Sequence, residues 1–165
     1  MSLLSTGYFY ADLYNRPFAE AESDLFIVNK GSIYSKLTDK FSIFRRLVNV
    51  SVLYRDILNN LEKGITLFLF PDSEIPEQVK TSLLSLDRSD ATFLLGCHVI
   101  DTPLKVLDGH IYQTRNIGVS IARIGNQLVF IKGGNNSNQR PNLMNDGDFF
   151  SNGSVYVIDQ PLIPQ

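Results

Sequence analysis

The residues of this chain that could do chemistry are few: two histidines, one cysteine and a scatter of carboxylates. His98 follows Gly96-Cys97 in an apolar stretch. A catalytic histidine needs a nucleophile or acid beside it, and no such motif accompanies His98. It reads as a structural histidine, hydrogen-bonded near Asp72 or Ser73 at the polar start of another segment. Cys97 reads as a buried, inert thiol, and a lone cysteine cannot form an internal disulfide. His110, after Asp108-Gly109, reads as a turn residue. Two histidines without a Cys or carboxylate cluster do not make a structural zinc site. Asp146-Gly147-Asp148 lacks the remaining spacing and terminal Glu of a calcium loop. Lys132-Gly133-Gly134 lacks the Lys-Ser/Thr of a phosphate loop. No cofactor or metal is expected. Asp159, at a strand end before Pro161, reads as a backbone cap. A hydrolase or lyase acting on surface polysaccharide would need two carboxylates in one cleft, drawn from Asp72, Glu74 and Asp148. Glycosylation patterns begin at Asn49, Asn135 and Asn152, with Asn135 the best placed as an acceptor.

Size and charge narrow the classes. At 165 residues the chain suits one domain with a sizeable core. Its net charge of -2, with no basic block, gives no electrostatic footprint for nucleic acid. No apolar run is long enough to span a membrane, and Leu3-Leu4 is too short for a signal core. Any membrane attachment would come through an anchor missing from this chain.

These residues must be positioned by a particular order of elements. Residues 1–32 are mixed. Tyr8, Phe9, Tyr10, Tyr14 and Phe18 are interrupted by Asn15-Arg16-Pro17, and Ser23–Gly31 reads as a short strand ending in a glycine turn. This stretch is taken as an N-terminal extension or linker, a piece of a preceding domain, or an arm on the main body, residues 33–165. From Ile33 the pattern is helical, with Ile33, Leu37, Phe41, Phe44, Leu47 and Val48 at three- and four-residue spacing and a break at Thr38-Asp39. A helix over Val52–Leu61 is predicted, stopped by Gly64. Ile65–Phe70 is apolar on both faces and reads as a central strand. Pro71 ends it, and Asp72 or Ser73 can cap a helix whose first turn holds Pro76. Ser89-Asp90 caps a helix through Leu95. Cys97–Ile100 is a second strand. Val119–Ile124 and Leu128–Ile131 flank Gly125-Asn126, a hairpin turn. Residues 133–145 read as an exposed loop. Asn152-Gly153 turns into the closing strand Val155–Ile158.

Three segments resemble the motifs of the fasciclin-type adhesion domain family, over about Ile33 to Pro164. Thr66–Glu74 resembles the first, roughly Thr-Val-Phe-Ala-Pro-Thr-Asp-Glu-Ala-Phe. Cys97–Ile100 resembles the central Tyr-His-Val-Leu. Asn152–Pro164 resembles the closing Asn-Gly-x-Val-His-Val-Ile-Asp-x-Val-Leu-x-Pro. The family-motif positions are Thr66, Phe68, Pro71, Asp72, His98, Asn152, Gly153, Val157, Ile158, Asp159 and Pro164. Pro76 stands where the first motif has an aromatic, Cys97 where the central one has tyrosine, and Tyr156 where the closing one has histidine. The Tyr-His dipeptide is linked with integrin binding in animal matrix members; only its histidine is present here.

The resemblance implies an α+β fold, a β-sandwich or wedge with a helix-rich N-terminal half packed along it. It also implies a noncatalytic extracellular or cell-surface module, secreted or membrane-anchored, that binds a protein or glycan of the matrix or envelope. A bacterial surface lipoprotein and a eukaryotic matrix protein both fit. The alternatives are the polysaccharide-acting enzyme above and a structural spacer within a longer surface protein. Recognition is assigned to loops held by buried strands: residues 133–148, the 101–116 connection and the region near His98. In the first of these, the partner-binding candidates are Asn135, Asn136, Asn138, Arg140, Asp146 and Asp148.

Overall fold

The structure is a computed structural model and describes residues 26–134 and 140–164. Four helices precede or border two small sheets. They are α1 Ser42–Ser51, α2 Leu53–Asn59, α3 Glu77–Leu84 and α4 Arg88–Gly96. The strands are β1 Ile65–Leu69, β2 Val99–Ile100, β3 Ile111–Gln113, β4 Ser120–Ile124, β5 Gln127–Lys132, β6 Asp148–Phe150 and β7 Gly153–Val157. One sheet runs β2-β1-β7-β6 and the other β3-β4-β5. The arrangement is the mixed α+β one expected.

Strand β1 is buried along its whole length, as a strand covered on both faces must be. It pairs antiparallel with β2 and parallel with β7. The closing segment therefore lies in the middle of the sheet. Helix α1 turns Ile43, Phe44, Leu47 and Val48 inward, and these join Leu67, Phe70, Leu95 and Ile158 in one core.

Several local expectations are corrected. The helical pattern from Ile33 forms two 3-10 turns, Tyr34–Lys36 and Asp39–Phe41, before α1 begins. The extended backbone of Thr38 divides them. Helix α2 ends at Asn59 rather than Leu61 and buries Tyr54 and Leu58, while Leu53 and Leu61 are exposed. Gly64 does not cap it. Its role is close approach, since a Cβ there would sit 3.0 Å from Pro103. Asp87, not Ser89 or Asp90, caps α4, accepting from the Asp90 amide at 2.8 Å.

The 101–116 connection contains strand β3, and the 133–148 stretch is not all surface. Pro141 and Leu143 are buried, and Leu143 bridges to Ile158. Within Ser23–Gly31, the described residues from Phe26 form no strand. Instead Phe26 sets its ring edge-on to Tyr34 and beneath the Arg55 guanidinium, and the Asn29 amide donates to Asn59 Oδ1 at 2.7 Å. Residues 26–32 thus pack on α2. The aromatic run from Tyr8 to Phe18 lies outside the described residues.

Candidate functional site

The motif residues converge on the interior. Asn152 is fully buried and ties three segments together. Its Oδ1 accepts the Ile33 amide at 3.0 Å and its Nδ2 donates to the Leu58 carbonyl at 2.9 Å. Its own carbonyl accepts the Ile65 amide at 3.2 Å. Gly153 follows at φ +142° and presses against Ile65. Thr66, on β1, donates through Oγ1 to the Thr102 carbonyl at 2.7 Å and accepts the Leu104 amide at 2.8 Å. Phe68 is buried against Tyr156, whose hydroxyl donates to the Leu104 carbonyl at 2.6 Å. Tyr156, which stands where the resembling closing motif has histidine, is therefore an internal strut.

Asp72 does not cap the helix after it. Its carboxylate reaches back to the start of α1, accepting the Ile43 amide at 3.0 Å and the Ser42 hydroxyl. That is favourable electrostatics at a helix N-terminus. Pro71, before it, is buried. Ile158 donates its amide to Leu69, and Val157 accepts from Met144, both at 2.8 Å. Asp159 accepts the Asn142 amide and side chain, each at 2.8 Å. Pro164 bridges to Gly134.

His98 is completely buried, and neither Asp72 nor Ser73 is its partner. It sits directly after α4, so its Nδ1 reaches back one turn to the Leu94 carbonyl at 2.8 Å. Its Nε2 accepts the Leu162 amide at 2.9 Å. Those two bonds require the neutral ring protonated on Nδ1. Phe44 and Phe70 flank it edge-on. Burial pulls its pKa from 6.5 down to about 4, only partly offset by the Leu94 bond.

A pH dependence follows. As pH falls from 6.5 towards 4, the unfolded chain takes a proton on this histidine that the folded one refuses. Stability contributed by the neutral ring is complete above pH 6.5 and declines through that window. The expected loss from this group is on the order of 3 kcal/mol. Urea midpoints across the window will check it, alongside His98→Asn, which should be less stable throughout and less pH-sensitive there. Equal slopes in the two proteins would overturn the assignment.

Cys97 is buried too. Its Sγ receives the Asn116 side-chain amide at 3.2 Å, and desolvation pushes the thiol up to about 11. A thiol so protonated is a poor nucleophile.

At the surface, Arg140, Asp146 and Asp148 are exposed, with Asn145 donating to Asp148 at 3.4 Å. Asn135, Asn136 and Asn138 lie outside the described residues, as does the glycosylation pattern's first residue at Asn135. Asn152 is too buried to accept a glycan, whereas Asn49 is exposed and accepts the Tyr34 hydroxyl. Asp148 lines a small groove with Lys36, Phe41 and Phe150, which neither Asp72 nor Glu74 lines. The region around His98 offers no open imidazole.

The 101–116 connection carries a cluster that the turn reading of His110 missed. The Asp108 carboxylate accepts the Tyr112 hydroxyl at 2.7 Å, the His110 amide at 3.0 Å and the His110 ring Nδ1. The Tyr112 bond, then those to His110, hold the Asp108 pKa well below its usual value. The His110 ring is largely exposed. The alternation Asp108-x-His110-x-Tyr112 was the available signal, because every second residue of an extended segment shares a side. Among the described residues, no group of three His, Cys, Asp or Glu side chains could hold a metal ion, and no helix is long and apolar enough to cross a membrane.

Two small sheets, a closing strand beside β1 and helices gathered in the N-terminal half define the fold as that of a fasciclin-type, or FAS1, domain. The structure is similar to a FAS1 domain pair from the insect cell adhesion molecule fasciclin I, with 20% sequence identity and a TM-score of 0.62. The match covers 82% of this chain and 51% of that one, so this chain spans about half the length of the pair. No family sequence model and no curated protein sequence matches the chain.

Proposed function

We propose that this protein is a noncatalytic adhesion-type module of an extracellular or cell-surface protein, binding a protein or glycan partner through its surface loops. The observation that carries the reading is where the chemically able side chains are committed. His98, Asp72, Asp159 and Cys97 each hold backbone or neighbouring side chains in place. They build a scaffold, each of them bonded within the fold. Open polar groups include His110 with Asp108 and Tyr112 in the 101–116 stretch, and Arg140 with Asp146 and Asp148 in the 133–148 stretch. Rigid elements presenting variable polar loops are the usual arrangement of a recognition surface. The fold of a cell adhesion molecule's domains supports the same class of function by analogy.

The test is a matrix-protein and glycan array probed with the folded protein, then with His110→Ala and with an Arg140→Ala, Asp146→Ala, Asp148→Ala triple variant. Replacing the whole of 133–148 would confound the result, because Pro141 and Leu143 are part of the interior. Saturable capture weakened at least about tenfold by one of these variants is expected, roughly the loss of one good polar contact. A folded wild-type protein that captures nothing across the array would sink the proposal.

A further inference from the structure

Asn152-Gly153 is the one step in the sequence where asparagine precedes glycine. That pair is suited to a reaction of its own backbone. The amide nitrogen that follows an asparagine can attack the side-chain Cγ, and glycine puts no Cβ in its way. The new N–Cγ bond closes a succinimide ring. The Cγ–Nδ2 bond breaks, and Nδ2 leaves as ammonia, carrying the proton of the attacking amide. Water then opens the ring at either carbonyl. The product is an aspartate in the same place, or its isomer, in which the main chain runs through the side-chain carbon.

The folded protein opposes each part of that step. The Nδ2 that must leave donates to the Leu58 carbonyl at 2.9 Å, and Oδ1 accepts the Ile33 amide at 3.0 Å. The backbone is fixed as well. The Asn152 carbonyl accepts the Ile65 amide at 3.2 Å, and Gly153 is paired with Ile65 on one side and Phe150 on the other. Closing the ring swings the side chain onto the Gly153 nitrogen, which breaks both side-chain bonds. Asn152 also has no exposed surface to meet the water that completes the reaction.

Unfolding removes all of these constraints, and the product does not fit back. An aspartate at this position has lost the donor for Leu58 and sets a carboxylate oxygen against that carbonyl, two acceptors in a site without solvent. A buried charge so placed is heavily penalised. The isomer adds a backbone carbon just ahead of β7 and displaces the ladder that begins at Ile65 and Gly153. We infer that Asn152 is a modification site of the unfolded chain: its side-chain ammonia is lost to attack by the Gly153 nitrogen, the fold prevents that loss, and a chain that has undergone it is excluded from the fold. The pair thus limits how long the protein can stay unfolded and still recover, so its working stability is a lifetime as well as an equilibrium. This inference goes beyond the proposed function and stands apart from it, since it involves no partner.

The test holds the wild-type protein in mildly alkaline buffer with and without guanidinium chloride. Samples taken over time are returned to native buffer and separated into refolded and unrecovered fractions. Peptide mass mapping reads the conversion of Asn152 in each. Conversion should be at least about a hundredfold slower in the folded protein, because there it proceeds through the rare open population. His98→Asn, expected to be less stable, should lose part of that protection and match the wild type in denaturant. The refolded fraction should carry unconverted Asn152 and shrink in step with conversion. Asn152→Asp, expressed directly, should yield little folded protein. Equal conversion with and without denaturant would overturn the inference. So would converted chains that refold in the same proportion as unconverted ones, or an Asn152→Asp protein as stable as the wild type.

Discussion

Gly153→Ala should leave little folded protein. The residue sits at φ +142°, where side chains are strained. A Cβ there would lie 2.0 Å from the Ile65 carbonyl oxygen and 2.9 Å from its nitrogen. The obstacle is backbone, and Ile65 is wholly buried in the strand that pairs with Gly153. Neither strand can retreat without breaking the parallel ladder through Leu69 and Val157. The expected loss is about 4 kcal/mol or more, a large part of a domain's total stability. Gly125→Ala is the control. It has φ +63° but nothing within 4 Å of its Cβ, so only the left-handed backbone penalty applies, about 1 kcal/mol. Urea denaturation of the two variants should rank them in that order. Equal midpoints would contradict the account of β1 and β7 as an obligate close approach.

Asn152→Ala should cost about 4 kcal/mol, by a different route. Alanine adds no clash, but it leaves the Ile33 amide and the Leu58 carbonyl without their partner. Asn152 has no solvent exposure. Buried backbone groups left unpaired each lose about 1–3 kcal/mol. The defect would sit beside the first 3-10 turn, where α2 ends and where β7 begins, so amide exchange at Ile33 should accelerate with the global loss. A midpoint shift equivalent to less than about 1 kcal/mol would mean that water replaces the side chain.

Much of the scaffold was legible from residue pattern alone. Ile65–Phe70 announced a strand covered on both faces, because its apolar residues fall on both sides of the pleat, with Thr66 as the one polar member. Gly125-Asn126 announced its hairpin, because few dipeptides accept that backbone. Helix limits were harder. The spacing from Ile33 to Val48 is helical throughout, yet Thr38 interrupts it, and a 3-10 turn flanked by buried Ile33 and Leu37 shows much the same spacing as the first turn of a helix. Short strands such as β3 and β6 carry too few residues to show alternation, and both are held by what lies beside them.

The candidate site divides along the same line. Sequence by itself determined which residue types the chain holds, that His98 has no nucleophile or acid next to it in the chain, and that three motifs follow in fasciclin-type order. Tertiary structure decided their partners. Asp72 serves the helix before it and not the one after, because β1 returns it to the start of α1. His98 bonds Leu162, 64 residues later, because the closing segment passes close to the end of α4. Asn152 joins Ile33, 119 residues earlier. Local propensity acts over a few residues and can be read from spacing. A hydrogen bond across the core depends on where two distant segments meet, and it is the packing of β7 beside β1 that brings them together.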